Sequence, residues 1–250
     1  MNAQPEISID DATPKPRSRF GWMDLLGVAL LLAGTIYLLR PAHVHSHEAR
    51  RRLQCKNNLK QIGLALHYYH DKYEEFPPAY TVNEHGKPLH SWRTLILPFM
   101  DQKPLYQKID LSKPWNDPVN AEAFQAVLPV YQCLSVKSEP GMTTYLAVIG
   151  DNTGIRPARS LKLKEITDGS SQTLAVVEVN PKHAVHWMSP HDADLALLLG
   201  LSADKDRLQH TSGYHALLFD SSVRFLSIDL QESTIRALVS VSGQEGVYDF

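Results

Sequence analysis

An apolar stretch over residues 20–39 constrains this chain more than any other feature of its sequence. At ~1.5 Å per helical residue it spans ~30 Å, the thickness of a bilayer's hydrocarbon core. It lacks the polar face of a buried soluble helix, and it exceeds the ~7–15 apolar residues of a cleaved signal peptide. The sequence therefore predicts a transmembrane helix over residues 20–41, with one acid, Asp24, a turn inside it.

The segments on either side of this stretch differ in character. Residues 1–19 are polar, rich in Pro, Asp and Ser, and are predicted to form a disordered tail. Pro41 is expected to kink or interrupt the helix. Residues 42–76 are predicted to form an amphipathic helix that ends before Pro77 and Pro78, because a residue before proline avoids the α region. Its apolar stripe consists of Leu59, Ile62, Leu66, Tyr69 and Tyr73.

Residues 77–250 have the composition of a β-rich domain, since most of the 16 prolines and 13 glycines fall there. A hairpin turn is predicted at residues 220–222. The fold class is therefore α+β, with the amphipathic helix packed on a mostly antiparallel sheet. The predicted strands are residues 144–149, 173–179, 214–219 and 223–228.

Short helices are predicted between and after these strands. One covers residues 120–127, and another piece, over residues 91–99, is closed by Pro98. Near the C-terminus, Ser233 is predicted to cap a helix. That helix carries Ile235, Leu238 and Val239 on its apolar face.

Composition and motifs exclude several functions. The net charge of −2 gives no basic face for nucleic acid. The chain has no G-x-S-x-G elbow, no phosphate-binding glycine loop and no H-E-x-x-H motif. We therefore predict no enzyme activity, no catalytic residue and no cofactor. Asp151, Asp168, Glu178 and Asp220 are interpreted as turn or strand residues in solvent.

The two cysteines leave two alternatives open. In an oxidising compartment Cys55 and Cys133 are predicted to form a disulfide, which would add ~4–5 kcal/mol in the entropy model. Otherwise they are two buried free thiols. The histidine pairs His43/His47 and His67/His70 have helical spacing, but no further ligand is marked. No metal site is predicted, and His67 and His70 are assigned to the contact between helix and sheet.

Four long motifs resemble a bacterial family of unknown function, number 1559. They are LQCKNNLKQIGLALHYYHDKYEEFPP at 53–78, SWRTLILPFMDQKPLYQKIDLSKPWNDP at 91–118, ITDGSSQTLAVVEV at 166–179 and HALLFDSSVRFLS at 215–227. Nine residues separate His210 from Asp220. This spacing resembles the family's H-X9-DG element, with Ser221 in place of glycine. The signature residues are Asn57, Asn58, Leu59, Gln61, Gly63, His67, His70, Pro77, Pro78, His210 and Asp220.

The resemblance implies a type IV pilin-like fold and a pilin-like leader. Phe20, Asp24 and Pro41 stand where such leaders have their first mature residue, an acid and a proline. Leader peptidases of this system cut after glycine, and Arg19 occupies that position. We therefore predict an unprocessed chain, in which Asp24 lacks the neighbouring N-terminal amine it pairs with in pilin-like assemblies. Snorkelling of Asp24 toward the interface is the alternative.

The resemblance also implies a location for the large domain, but the basic residues that flank the apolar stretch indicate the opposite one. A pilin-like, single-pass inner-membrane protein has its N-terminus in the cytoplasm and its large domain, here 77–250, in the periplasm. Five basic residues follow the apolar stretch within residues 40–56, against three in residues 15–19. The positive-inside rule would place the large domain in the cytoplasm. The orientation stays open on charge alone.

The leading functional hypothesis is a membrane-anchored, pilin- or pseudopilin-like cell-envelope protein. Its role would be structural or adaptor-like, through contacts with membrane lipid, other envelope proteins or copies of itself. The alternative is a membrane-tethered periplasmic module that binds a solute or polysaccharide. Trp92, Trp115 and Trp187 would line that site, unless they fill the core.

Overall fold

The computed structural model of the chain describes residues 21–133, 135, 139–201, 210 and 212–243, with 38–48 described by backbone alone. The chain divides between Ser46 and His47 into two compact units. Residues 1–19 and Phe20 lie outside the described residues, so the predicted disordered tail stays a prediction.

Helices and strands alternate irregularly along the described residues. The α-helices are α1 (Trp22–Tyr73), α2 (Trp92–Leu95), α3 (Lys103–Tyr106), α4 (Ala121–Phe124), α5 (Leu195–Leu201) and α6 (Glu232–Val239). The strands are β1 (Tyr80–Val82), β2 (Pro88–Ser91), β3 (Met142–Thr143), β4 (Tyr145–Ala147), β5 (Leu174–Glu178), β6 (Val185–His186), β7 (Gly213–Leu218) and β8 (Val223–Ser227). Short 3-10 helices cover Leu97–Phe99, Pro118–Asn120, Pro129–Tyr131, Leu163–Glu165 and Pro181–His183.

The main sheet has the strand order β4-β5-β7-β8, and all its pairs are antiparallel. These strands are the ones predicted from apolar patterning. β4, β5 and β8 are shorter than predicted by one to three residues, and β7 has the predicted length but begins one residue earlier. β1 pairs with β2 and β3 pairs with β6 in two small ribbons. Helices and antiparallel sheets together confirm the α+β class.

Helix α1 differs from its prediction at two places. Its backbone is helical through Pro41, so the predicted interruption is wrong; a proline removes one hydrogen bond of the helix and leaves the others. The helix ends at Tyr73 rather than at residue 76. Glu74 has a φ of 62°, the left-handed conformation that terminates helices, and its N–H donates to the His70 carbonyl.

The part of α1 in the second unit packs one face on the sheet. Leu59, Ile62 and Leu66 are buried there, as the apolar stripe predicts, and Cys55 is buried on the same face. Gly63 also faces the sheet: a Cβ on it would lie 2.8 Å from Leu217 Cδ1, so glycine permits the close approach. At the end of the stripe, Tyr69 packs against the buried apolar cluster that contains Leu59, Ile62 and Leu66. Tyr73 is 48% exposed, because the helix ends there.

The opposite face of the sheet is covered by α5 and α6. Leu198 of α5 and Ile235 and Leu238 of α6 are buried against side chains of β4, β5, β7 and β8. The buried positions predicted for the last helix are thus confirmed. Its predicted cap is wrong, because α6 begins at Glu232 and Ser233 lies inside it.

The described side chains of the first unit are largely apolar and exposed. Trp22 is 74% exposed and Tyr37 is 77% exposed, and the leucines between them are exposed as well. Within the described ranges, no helix combines the length and the apolarity that crossing a bilayer requires.

The turn between β7 and β8 lies at residues 220–222, as predicted. The Ser222 N–H donates to Asp220 Oδ1 at 2.8 Å, and Ser221 has a φ of 63°. Only glycine adopts that conformation without steric cost. Glycine would therefore fit this position of the turn better than Ser221 does.

Replacing Ser221 by glycine should therefore stabilise the protein. Relief of the ~1–2 kcal/mol left-handed penalty outweighs the ~0.5–1 kcal/mol entropic cost of glycine, for a net gain of ~1 kcal/mol. The Ser221 hydroxyl is buried and makes no hydrogen bond with a described residue, so its loss costs no such bond. Chemical denaturation of the purified full chain measures the gain.

Ser222→Gly is the matched control, because Ser222 has no positive φ. It should lower the free energy of unfolding by ~0.5–1 kcal/mol. Equal effects of the two substitutions would contradict this account of the turn.

Candidate metal centre

Four buried side chains of different segments meet where α1 contacts the sheet. They are Cys55 of α1, Cys133 after a 3-10 helix, Glu178 of β5 and His210 before β7. One ligand atom from each lies within 4.8 Å of all the others. We call these four residues the thiol–carboxylate cluster.

Cys55 is placed by the packing of α1, since it precedes Leu59 by one turn on the buried stripe and is itself 0% exposed. Asn58, three residues later, is also buried. Its Nδ2 donates to the Gln132 carbonyl at 2.9 Å and to the Pro129 carbonyl at 3.3 Å. Asn58 therefore holds the segment that carries Cys133 against α1.

Cys133 is held from the other side by Tyr131. The phenol of Tyr131 is buried and donates to the Arg93 carbonyl at 2.8 Å. Together with the Asn58 bonds, this contact fixes the residues just before Cys133.

Glu178 is a charged residue in an otherwise apolar strand and is 0% exposed. Its Oε2 lies 3.0 Å from His215 Nδ1 and 3.3 Å from His210 Nε2. Burial opposes ionisation, but the two histidines outweigh it and hold the pKa of the Glu178 carboxyl below its usual value. The interpretation of Glu178 as a solvated residue is therefore wrong.

The two sulfurs are 2.8 Å apart and both cysteines are free and buried. A hydrogen bond from Cys133 lowers the pKa of the Cys55 thiol, against the effect of burial. The same bond, with burial, raises the pKa of the Cys133 thiol. The predicted pairing of the cysteines is found, and the covalent bridge stays a prediction.

Chemically, the cluster offers two thiol sulfurs, one imidazole nitrogen and one carboxylate oxygen. This set can coordinate a cation that accepts sulfur and nitrogen ligands. The same sulfurs can instead be oxidised to a disulfide. Both uses draw on the same two atoms, so they exclude each other.

A hydrogen-bond network around Arg93 holds the strands next to the cluster in place. The guanidinium of Arg93 is fully buried. It forms an ion pair with Asp192 at 2.6 Å. Its remaining N–H groups donate to the carbonyls of Tyr145, Trp187, Ser189 and His191. Because Tyr145 pairs with Glu178 across β4 and β5, these bonds also fix the strand that carries the cluster's carboxylate.

Asp192→Ala should lower the free energy of unfolding by ~3–5 kcal/mol, because it leaves Arg93 buried without its counter-charge. Denaturant unfolding of the full chain measures this loss. Glu232→Ala is the control, since it breaks the exposed Glu232–Arg236 pair. It should cost ~0.3–0.5 kcal/mol. A loss below ~1 kcal/mol for Asp192→Ala would contradict the role given to this pair.

The signature residues of α1 have structural roles that the structure now defines. Asn58, Leu59 and Gly63 are buried as described above, whereas Asn57 and Gln61 are exposed. His67 Nε2 lies 2.7 Å from the Phe219 carbonyl oxygen. The His70 ring packs on Phe76 with centroids 4.8 Å apart. Both histidines thus lie at the contact of α1 with the rest of the domain.

Other predicted residues lie apart from the cluster. Pro77 is buried, Pro78 is half-buried, and Asp220 is exposed in its turn. Asp24 accepts a hydrogen bond from the Gly21 N–H at the start of α1. Among the described residues, no third metal ligand adjoins His67 and His70. The side chains of His43 and His47 lie outside the described residues.

Sequence reasoning paired the cysteines but missed Glu178 and the His210 side chain as their neighbours. In the sequence, His210 is marked only by the resemblance to the H-X9-DG element. The available signal was the acid in the apolar strand LAVVE, because a charge there must find a buried partner. The spacing of residues in the sequence could not identify the other members of the cluster, because the four residues come from distant segments.

The family comparison covers part of the chain. A family model described as "Protein of unknown function (DUF1559)" matches residues 45–153. This segment includes Cys55, Asn58, Arg93 and Cys133, and it confirms the family resemblance of the motifs at 53–78 and 91–118. The motifs at 166–179 and 215–227 lie outside the match. No curated protein and no solved structure matches the chain.

Proposed function

Residues 45–153 belong to the DUF1559 family, and from this premise we propose that the chain is a membrane-anchored, pilin-like protein of the bacterial cell envelope. Its N-terminal helix serves as an uncleaved anchor in the inner membrane, and its β-rich domain lies in the periplasm. The protein acts as a structural or adaptor component, through contacts with envelope proteins or with copies of itself. It catalyses no reaction in this proposal.

The observation that carries the proposal is the change in apolar character along α1. Between Cys55 and Leu66 the buried residues occupy one face, and the exposed positions are polar, as at Gln61, except for Leu64. Between Trp22 and Tyr37 the exposed large apolar residues occur mostly in runs of two or three and lie on all sides of the helix. A helix that is apolar on all sides is typical of a segment surrounded by lipid or by other protein.

Arg19 supports a permanent anchor rather than a polymerising subunit. Without cleavage before Phe20, no free amine forms there to pair with Asp24 of a neighbouring subunit. Intact-mass spectrometry of protein purified from a bacterial host tests this. We expect the mass of the chain with its first 19 residues; a mature N-terminus at Phe20 would contradict it.

Topology reporters at the C-terminus test the location. We expect activity from a phosphatase that folds only in the periplasm, and none from a cytoplasmic fluorescent reporter. The untagged chain should stay with the membrane after alkaline carbonate extraction. A cytoplasmic reporter signal, or a carbonate-soluble chain, would contradict the proposal.

A matched pair of variants separates anchoring from general surface effects. Leu30→Arg with Leu31→Arg places two charges in the apolar segment, each costing ~2.5–3.5 kcal/mol in a bilayer. This variant should leave the membrane fraction. Gln61→Arg changes an exposed position of the second unit and should not alter the distribution.

A solute-binding module is the second candidate, and one cleft favours it. The cleft has a volume of about 280 Å³, and its lining includes Asp151, Asn152, Arg236 and Ser240. The tryptophans predicted to line a site do not reach it. Trp92 and Trp187 fill the core, and Trp115 stacks on Phe124 and His186.

Thermal unfolding with a panel of sugars and small anions distinguishes the two candidates. A binding module should show a ligand-dependent rise in melting temperature that Arg236→Ala abolishes. A structural protein should show no such rise and should crosslink to envelope partners through α1.

A further inference from the structure

We propose that Cys55, Cys133, Glu178 and His210 bind one Zn²⁺ ion in a closed structural site. All four are buried, and their ligand atoms already lie within 4.8 Å of one another. The site would tie α1 to β5 and to the segments that carry Cys133 and His210. This inference does not depend on the membrane location proposed above.

The ligand types select the metal. Zinc is bound by cysteine sulfur, histidine nitrogen and carboxylate oxygen, most often four at a time. Calcium and magnesium prefer oxygen ligands, so two thiols disfavour both. Four protein ligands leave no open position for water or substrate, and this closure is typical of structural rather than catalytic zinc.

The distances are close to what a tetrahedral ion requires. Bonds of ~2.0–2.3 Å imply ~3.3–3.8 Å between neighbouring ligand atoms. His210 Nε2 and Glu178 Oε2 are 3.3 Å apart and already fit. The sulfurs, at 2.8 Å, need to separate by ~1 Å. Rotation of a cysteine side chain about χ1 moves its sulfur while the backbone stays in place.

Charge also favours a dication at this point. The Glu178 carboxylate is fully buried, and the two histidines beside its Oε2 carry a positive charge only when they are protonated. Burying a carboxylate without a charged partner is costly. On binding, each thiol releases its proton to solvent and its sulfur bonds to the ion, with no change of oxidation state. Two thiolates, one carboxylate and Zn²⁺ then leave one net negative charge.

Neighbouring residues are arranged as an outer shell for the ion. His215 Nδ1, 3.0 Å from Glu178 Oε2, orients the carboxylate. Asn58 positions the Cys133 segment through two carbonyls. Partners of this kind fix ligand geometry in known zinc sites. A disulfide would use only the two sulfurs and would not account for Glu178, His210 and His215 at the same point.

Zinc titration of the full chain, reduced and stripped of metal, tests the proposal. We expect one Zn²⁺ per chain by elemental mass spectrometry, with both thiols protected from alkylation until a chelator is added. Co²⁺ as a probe should give the sulfur-to-cobalt charge-transfer band and intense visible bands of a tetrahedral thiolate site. The wild-type spectrum needs no variant and is independent of any folding defect.

Variants assign the site to these residues. His215→Asn should weaken zinc affinity ~10–100-fold, as outer-shell changes do. Glu178→Gln and Cys133→Ser should weaken it further, and Cys133→Ser should reduce the charge-transfer intensity. His85→Asn, in an exposed turn, is the control and should leave affinity unchanged. Circular dichroism of each variant separates loss of metal from loss of fold.

Three results would overturn the proposal. The first is no bound Zn²⁺ in the reduced, folded wild-type chain. The second is equal Zn²⁺ binding by wild type and the cluster variants. The third is a Cys55–Cys133 disulfide in the isolated protein together with no uptake of Zn²⁺ after its reduction, which would assign the pair to a bridge instead.

Discussion

The guanidinium of Arg93 joins segments that lie far apart in the sequence. It uses all of its N–H donors on Asp192 and on the carbonyls of residues 145, 187, 189 and 191. Asp192 in turn accepts from the Ala147 N–H and the Trp92 indole. Burying a charge is tolerated only when it is paired in this way. The position of β4, and with it β5 and Glu178, depends on this network.

Glu178 presents the same physical problem with a different solution. It too is a fully buried charge, but its partners are two histidines and two thiols rather than a guanidinium. Histidine can be neutral and a thiol can keep its proton, so this set has no permanent positive charge. A bound dication supplies one. These two buried acids therefore have different roles: Asp192 stabilises the fold through its ion pair with Arg93, and Glu178 forms part of the proposed zinc site.

Periodic features of the fold were predictable from the sequence, because periodicity reports burial directly. The main strands and the stripe of Leu59, Ile62 and Leu66 follow from apolar spacing. Helix ends were less predictable. The end of α1 depends on the left-handed backbone of Glu74, and the start of α6 precedes the expected serine.

The candidate site was only half predictable, for a physical reason. Two cysteines in one chain suggest a pair, but a cluster needs three-dimensional proximity that no spacing encodes. Glu178 and Arg93 are each a single charge in an apolar segment. Such a residue signals a buried partner without identifying it, and only the folded structure shows that His210 and Asp192 are those partners.

X-ray absorption at the zinc edge of the loaded full chain tests the central claim most directly, because it measures the metal's ligands without a variant. Binding by the thiol–carboxylate cluster predicts two sulfur ligands at ~2.3 Å and two nitrogen or oxygen ligands at ~2.0–2.2 Å. A first shell made only of nitrogen and oxygen would contradict it, since that result would place the ion away from Cys55 and Cys133.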